Sequence, residues 1–147
     1  MSFLVDTNVL LRSIDIIHPM NFDAVNSLTT LRDRGEEIYI VPQNLIELWN
    51  VCTRPKDRNG LGYNTVQAEA EINRIKTLFP LLLDTPPIYR EWERLVITYK
   101  VSGVNVHDAR LVAAMLVRGM THILTFNVDD FTRYSEIIVV CPTRVSS

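Results

Sequence analysis

Four acidic residues stand where a carboxylate is costly. Asp6 closes the run Phe3-Leu4-Val5 and precedes Thr7-Asn8, and Glu47 lies inside Leu45-Ile46-Glu47-Leu48-Trp49. Asp108 opens His107-Asp108-Ala109-Arg110, and Asp130 follows Thr125-Phe126-Asn127-Val128-Asp129 directly before Phe131. Each adjoins an apolar stretch expected to be buried. A carboxylate drawn out of water loses hydration, several together repel one another, and a cation or a shared proton relieves both. The set therefore points to a divalent-metal site. All-oxygen donors of this kind suit Mg²⁺.

Each acid also has a plain structural role open to it. Asp6 and Asp108 both read as helix N-caps, a common use of Asp. Asn8 fits either a second cap or a support for water on the metal. Ile46, Asn50 and Val51 share the Glu47 side of their helix, so Glu47 is expected to be partly buried. Its alternative is a buried ion pair, with Arg54 reached only awkwardly. Asp129 and Asp130 do not both turn inward easily, and Asp129 is assigned to solvent. Thr125 and Asn127 offer neutral donors beside them. His107 reads as a capping or substrate-facing group, because no second histidine stands at metal spacing.

The elements that must position these acids alternate. Ser2–Val5, Ile38–Val41, Leu81–Leu83, Ile123–Thr125 and Ile137–Cys141 read as short strands. Helices are expected over Phe22–Arg34 with Gly35 as stop, over Gln43–Thr53 between Pro42 and Pro55, and over Thr65–Leu78. Two more run from Pro86-Pro87 to Tyr99 and over Val106–Arg118, ending at Gly119. The segment Arg54–Asn64, with its Pro and Gly residues among charges, reads as a long mobile loop. Such alternation implies a three-layer α/β/α sandwich around a mainly parallel sheet of about five strands. Ligands in these folds bind beyond the carboxyl ends of the strands where strand order reverses. Asp6 and the Asn127–Asp130 group would both face that crevice.

The composition permits this. The 147 residues most simply form one domain, 47% hydrophobic and 22% charged. Fifteen Lys and Arg against 17 Asp and Glu give a net charge of -2, which excludes a simple polycation binding nucleic acid through bulk charge. Cys52 and Cys141 lack any paired spacing, so neither a disulfide framework nor a zinc knuckle is expected. Asp6 and Arg12 interrupt the apolar start, which reads as a buried strand rather than a signal peptide. With no membrane span in view, a cytoplasmic protein is expected.

At these residues the chain resembles a PIN domain, the ribonuclease fold of the toxin component in many bacterial toxin–antitoxin pairs (the VapC-like group). The likeness runs from Phe3 to Arg144. It rests on Leu4-Val5-Asp6-Thr7-Asn8, the Glu47 helix, His107-Asp108-Ala109-Arg110-Leu111, and Thr125-x-Asn127-x-x-Asp130-Phe131. The resemblance implies that Asp6, Glu47, Asp108 and Asp130 bind Mg²⁺ or Mn²⁺ for cleavage of single-stranded or looped RNA. It implies attack by water that leaves a 5′-phosphate and a 3′-hydroxyl, an antitoxin partner, and a homodimer. The family often carries an acid where Asn127 stands. Asp130 would then bind metal directly, act through a water, or orient Asn127.

On this reading Asp6, Glu47 and Asp108 hold one ion, and a second is completed near Asp130 by the substrate. Arg12, Lys56, Arg58, Arg110 and Arg133 are candidates for RNA contact, and each is equally a solvated surface charge. Trp49, Tyr63 and Trp92 could stack bases, although packing suits both tryptophans better. The apolar stripe from Val66 to Ile75 fits a homodimer surface, an antitoxin seat or ordinary core. Two rival functions stand beside the nuclease. A phosphoaspartyl-type phosphatase would use Asp6 as nucleophile, but it typically needs an acid where Asn8 stands and a positioned lysine. A catalytically silent RNA-binding or interaction module would bind with chelator present.

Overall fold

A computed structural model describes residues 1–145. Four strands form one sheet: β1 (Ser2–Val5), β2 (Glu37–Tyr39), β3 (His122–Leu124) and β4 (Ile138–Val140). Their order is β2-β1-β3-β4 and every pairing is parallel, with Leu4 opposite Tyr39 on one side and Ile123 on the other. Six α-helices complete the architecture: α1 (Thr7–Ile14), α2 (Asn21–Asp33), α3 (Pro42–Thr53), α4 (Thr65–Leu78), α5 (Pro87–Thr98) and α6 (Asn105–Arg118).

The three layers follow from the two-residue period of the strands. Phe3, Val5, Ile38 and Leu124 face a core built with Leu10, Leu28, Leu48 and Ile75 of α1 to α4. Leu4, Ile123 and Val139 face the opposite core, built with Leu95 of α5 and Leu111, Val112 and Met115 of α6. Because both faces are covered, the strands are mostly apolar rather than alternating, with Ser2, Glu37 and His122 confined to their first positions. The expected α/β/α sandwich is therefore the observed fold.

Three expectations need correction. The fifth strand, Leu81–Leu83, shrinks to a single parallel bridge between Ile40 and Leu81. Its partner runs out: Ile40 exchanges bonds with Pro80 and Leu82 (3.1 and 2.9 Å), and the chain then turns into α3 at Pro42. The segment read as a mobile loop is fastened back onto α3. Leu61, Gly62 and Tyr63 donate their amides to the carbonyls of Val51, Arg54 and Cys52 at 2.8–3.1 Å. The stripe from Val66 to Ile75 divides. Ala68 and Ile75 are buried and Ile72 packs against them, whereas Val66 and Ala70 face solvent. Among the described residues no helix is long and apolar enough to cross a membrane.

Candidate active site

The chain passes from β1 to β2 on one side and later reaches β3 on the other, so strand order reverses beside β1. A crevice opens beyond the carboxyl ends at such a point. Asp6 immediately follows β1, the head of α3 follows β2, and Thr125–Asp130 follows β3. The first turn of α6 carries Asp108.

Asp6 is 6% exposed and serves as the expected N-cap. As N-cap of α1 its Oδ1 accepts from the Thr7 amide at 2.8 Å, while Oδ2 accepts from the Thr125 hydroxyl at 2.7 Å. Thr125 is itself held, because its Oγ1 accepts from the Asn127 amide (2.9 Å) and from Asn8 Nδ2 (3.4 Å). Asn8 Oδ1 accepts in turn from the Phe126 amide at 3.4 Å. Asn8 thus ties the loop after β3 to the start of α1, and Asn127 contributes its backbone rather than its exposed side chain.

Glu47 is half-buried, but not for the expected reason. Ile46 is 70% exposed and Asn50 also faces solvent. The carboxylate is instead held by Thr7, whose hydroxyl donates to Oε1 at 2.8 Å, and by Gln43, whose Nε2 lies 3.3 Å from Oε2. Asn44 is fully buried and fixes the head of α3, donating to the Val5 carbonyl (3.0 Å) and accepting from the Val41 amide (2.8 Å). Gln43 also donates to the His107 carbonyl at 2.8 Å, which ties α3 to α6. Arg110 donates to Gln43 Oε1 (3.0 Å) and to Asp84 (2.8 Å), which engages two of its five N–H donors.

Asp108 is not an N-cap, since α6 begins at Asn105 and places it in the first helical turn. Neither Asp108 nor Asp130 makes a side-chain hydrogen bond among the described residues. Burial, then repulsion from Asp6, Asp130 and Glu47, pushes the Asp108 carboxyl up to about 7, against a pull from Arg133. Asp6 is pushed up to about 6, mainly by burial and further by Glu47 and Asp130, although the Thr125 and Thr7 hydrogen bonds oppose this. The four acids therefore lie within one electrostatic field. Asp130 is half-buried and its neighbour Asp129 is exposed.

Among the described residues no group of three or more His, Cys, Asp or Glu is arranged to hold a metal ion on its own. Mg²⁺ does not require such a cage, because it keeps several waters and commonly takes one or two carboxylates plus substrate phosphate. The donors present are carboxylate, hydroxyl and amide oxygens, hard ligands that suit Mg²⁺ or Mn²⁺. The repulsion among these carboxylates, two of which (Asp108 and Asp130) have no protein hydrogen bond among the described residues, is what such an ion would relieve. The residues fit the group.

Of the basic candidates, Arg133 acts on Asp108, Lys56 and Arg58 are exposed on the fastened segment, and Arg12 is half-buried near the end of α1. Asp6 makes a poor phosphoryl acceptor, with both oxygens engaged and all three lysines, Lys56, Lys76 and Lys100, on other segments. Sequence reasoning missed Gln43 and Asn44 as supports. Their one signal was a polar pair behind Pro42 at a helix start, which reads equally as capping.

Three comparisons bear on kinship. No curated protein sequence matches the chain. Among solved structures it is similar to VapBC-1 from nontypeable Haemophilus influenzae (15% identity, TM-score 0.71, covering 98% of this chain and 100% of that one). It is similar to VapBC2 from Rickettsia felis bound to a promoter DNA fragment (14%, 0.70, 96% and 98%). A third is VapC20 of Mycobacterium tuberculosis, a toxin that cleaves the sarcin–ricin loop (18%, 0.63, 88% and 93%). At these identities the structures share the fold. The family model for the PIN domain matches residues 3–137, and the chain belongs to the PIN domain family.

Proposed function

We propose that the protein is a divalent-metal-dependent endoribonuclease that hydrolyses phosphodiester bonds of single-stranded or looped RNA, as the toxin of a toxin–antitoxin pair. The observation that carries this reading is the mutual repulsion of Asp6, Glu47, Asp108 and Asp130 at the switch-point crevice. The VapC20 neighbour, an RNA-cleaving toxin, supports the substrate class.

Asp6, Glu47, Asp108 and Asp130 would hold Mg²⁺ or Mn²⁺. When bound, such an ion polarises a phosphoryl oxygen and makes a nucleophile available at neutral pH. The protein's contribution is orientation. Thr125 and Thr7 fix the two oxygens of Asp6, while Thr7 and Gln43 fix those of Glu47. Asp108 and Asp130 remain free of protein hydrogen bonds and so can turn toward an incoming cation. Arg133 lowers the cost of ionising Asp108 and is the basic side chain best placed to meet a phosphate.

An antitoxin partner and a homodimer are the finer parts of the reading. Ile16, Ile17 and Phe22, largely exposed around the turn between α1 and α2, supply apolar surface for one of them. The test incubates the purified protein with diverse RNAs in Mg²⁺, in Mn²⁺ and in chelator, beside Asp6→Asn and Glu47→Gln prepared identically. Cuts should vanish with chelator and in both variants while the circular dichroism spectrum persists. Cutting retained by both folded variants refutes the assigned site.

A further inference from the structure

Beside the acidic crevice lies a second cavity that the metal site does not use. It has a volume of about 340 Å³ and is lined by Asp84, Pro86, Ile88, Tyr89, Trp92 and Arg110. This is near the lower bound for small-molecule sites and suits one aromatic ring system better than a length of chain. A line of side chains joins it to the catalytic acids. Asp84 binds Arg110 at 2.8 Å, Arg110 binds Gln43 at 3.0 Å, and Gln43 reaches Glu47 at 3.3 Å.

The lining combines two chemistries. Tyr89 is 64% exposed, its ring centroid 5.7 Å from that of Trp92 and inclined at 34°. Trp92 donates its indole N–H to the Val106 carbonyl at 2.8 Å, which fixes the half-buried ring between the core and the cavity it lines. Unstacked RNA bases are held by such rings and then read by hydrogen bonds along their edges. At the rim the Asp84 carboxylate only accepts and the Arg110 guanidinium only donates. Arg110 engages Oδ2 of Asp84, and Oδ1 makes no hydrogen bond among the described residues. An apolar occupant would desolvate this ion pair without compensation. Guanine answers both partners. Its Watson–Crick edge presents two adjacent N–H donors to a carboxylate, and its O6 and N7 accept from arginine.

We propose that this cavity is a base-reading subsite: Tyr89 and Trp92 hold an unstacked guanine of the RNA, and Asp84 with Arg110 selects it. Its placement next to the scissile phosphate rests on the nuclease reading; its capacity to bind guanine does not. Arg110 has two functions here, holding Gln43 against Glu47 and meeting the base, so occupancy of the subsite is felt at a catalytic acid.

The test is a titration that needs no cleavage. Trp49→Phe leaves Trp92 as the one indole, and its N–H resonance is followed as guanosine, adenosine, cytidine or uridine 5′-monophosphate is added in chelator. Guanosine monophosphate should shift the signal and bind at least about tenfold more tightly than the others. Asp84→Asn should abolish that preference, and Tyr89→Ala should weaken binding about tenfold or more, within the range for loss of one base stack. Equal affinities, an unmoved Trp92 signal, or a preference that survives Asp84→Asn each overturn the proposal. Loss of binding that tracks dissociation of a dimer identifies the cavity as an interface and also overturns it. Guanine binding by a protein that cuts no RNA would leave the subsite standing and remove the nuclease reading instead.

Discussion

Asp6 and Asp108 carry carboxyls raised from the usual 3.8 to about 6 and about 7. For an acid raised on folding, the folded chain keeps a proton that the unfolded chain releases between the two values. Stability therefore falls as pH climbs from about 4 through about 7. For Asp6 the shift corresponds to about 3 kcal/mol at most, at roughly 1.4 kcal/mol per unit. In chelator the protein should melt several degrees lower at pH 8 than at pH 5, with Asp6→Asn and Asp108→Asn raising the pH 8 melting temperature. Variants that melt below the parent at pH 8 would contradict this assignment. A companion prediction concerns Thr7, whose hydroxyl donates to Glu47 and whose amide binds Asp6. Thr7→Val keeps size and amide but releases Glu47, and it should reduce RNA cleavage about 10- to 100-fold, the usual scale for a residue orienting a metal ligand. A rate assay at saturating Mg²⁺ checks it.

Among the elements, legibility tracked period and punctuation. Helices α2, α3, α5 and α6 fell within a residue or two of expectation, because Gly35, Pro42, Pro55, Pro87 and Gly119 mark their limits. Helix α1 had no assigned bounds. The apolar run from Phe3 to Leu11 crosses from strand to helix at Asp6, and eight residues give periodicity little room to show itself. Leu81–Leu83 failed as a strand because pairing depends on a partner that the sequence does not display. The segment after α3 failed as a mobile loop because turn residues also serve compact, bonded turns. Gly60 marks the difference: a Cβ there would lie 2.0 Å from the Arg54 carbonyl oxygen. Gly60→Ala should therefore destabilise the protein by about 1–3 kcal/mol, measurable as a lower urea midpoint. An unchanged midpoint would mean that the turn is dispensable.

At the scale of the molecule, two apolar cores clamp one parallel sheet, and the clamp creates the crevice. Alternation of strands and helices made that architecture readable, and the reversal of strand order pointed to the candidate site. The acids were legible because each interrupts an apolar context. Gln43 and Asn44 were not, since a polar residue beside a helix start has the same signature whether it caps or supports a ligand. Glu47 was judged half-buried correctly, although two of the three neighbours behind that judgement, Ile46 and Asn50, are exposed. We hold that repelling carboxylates from two strand ends and two helices meet at a cation. Calorimetric titration with Mn²⁺ near pH 7.5 reads that cation binding. Binding should saturate with proton release and weaken at least about tenfold in folded Asp108→Asn; an unchanged affinity in that variant would refute a cation held by these acids.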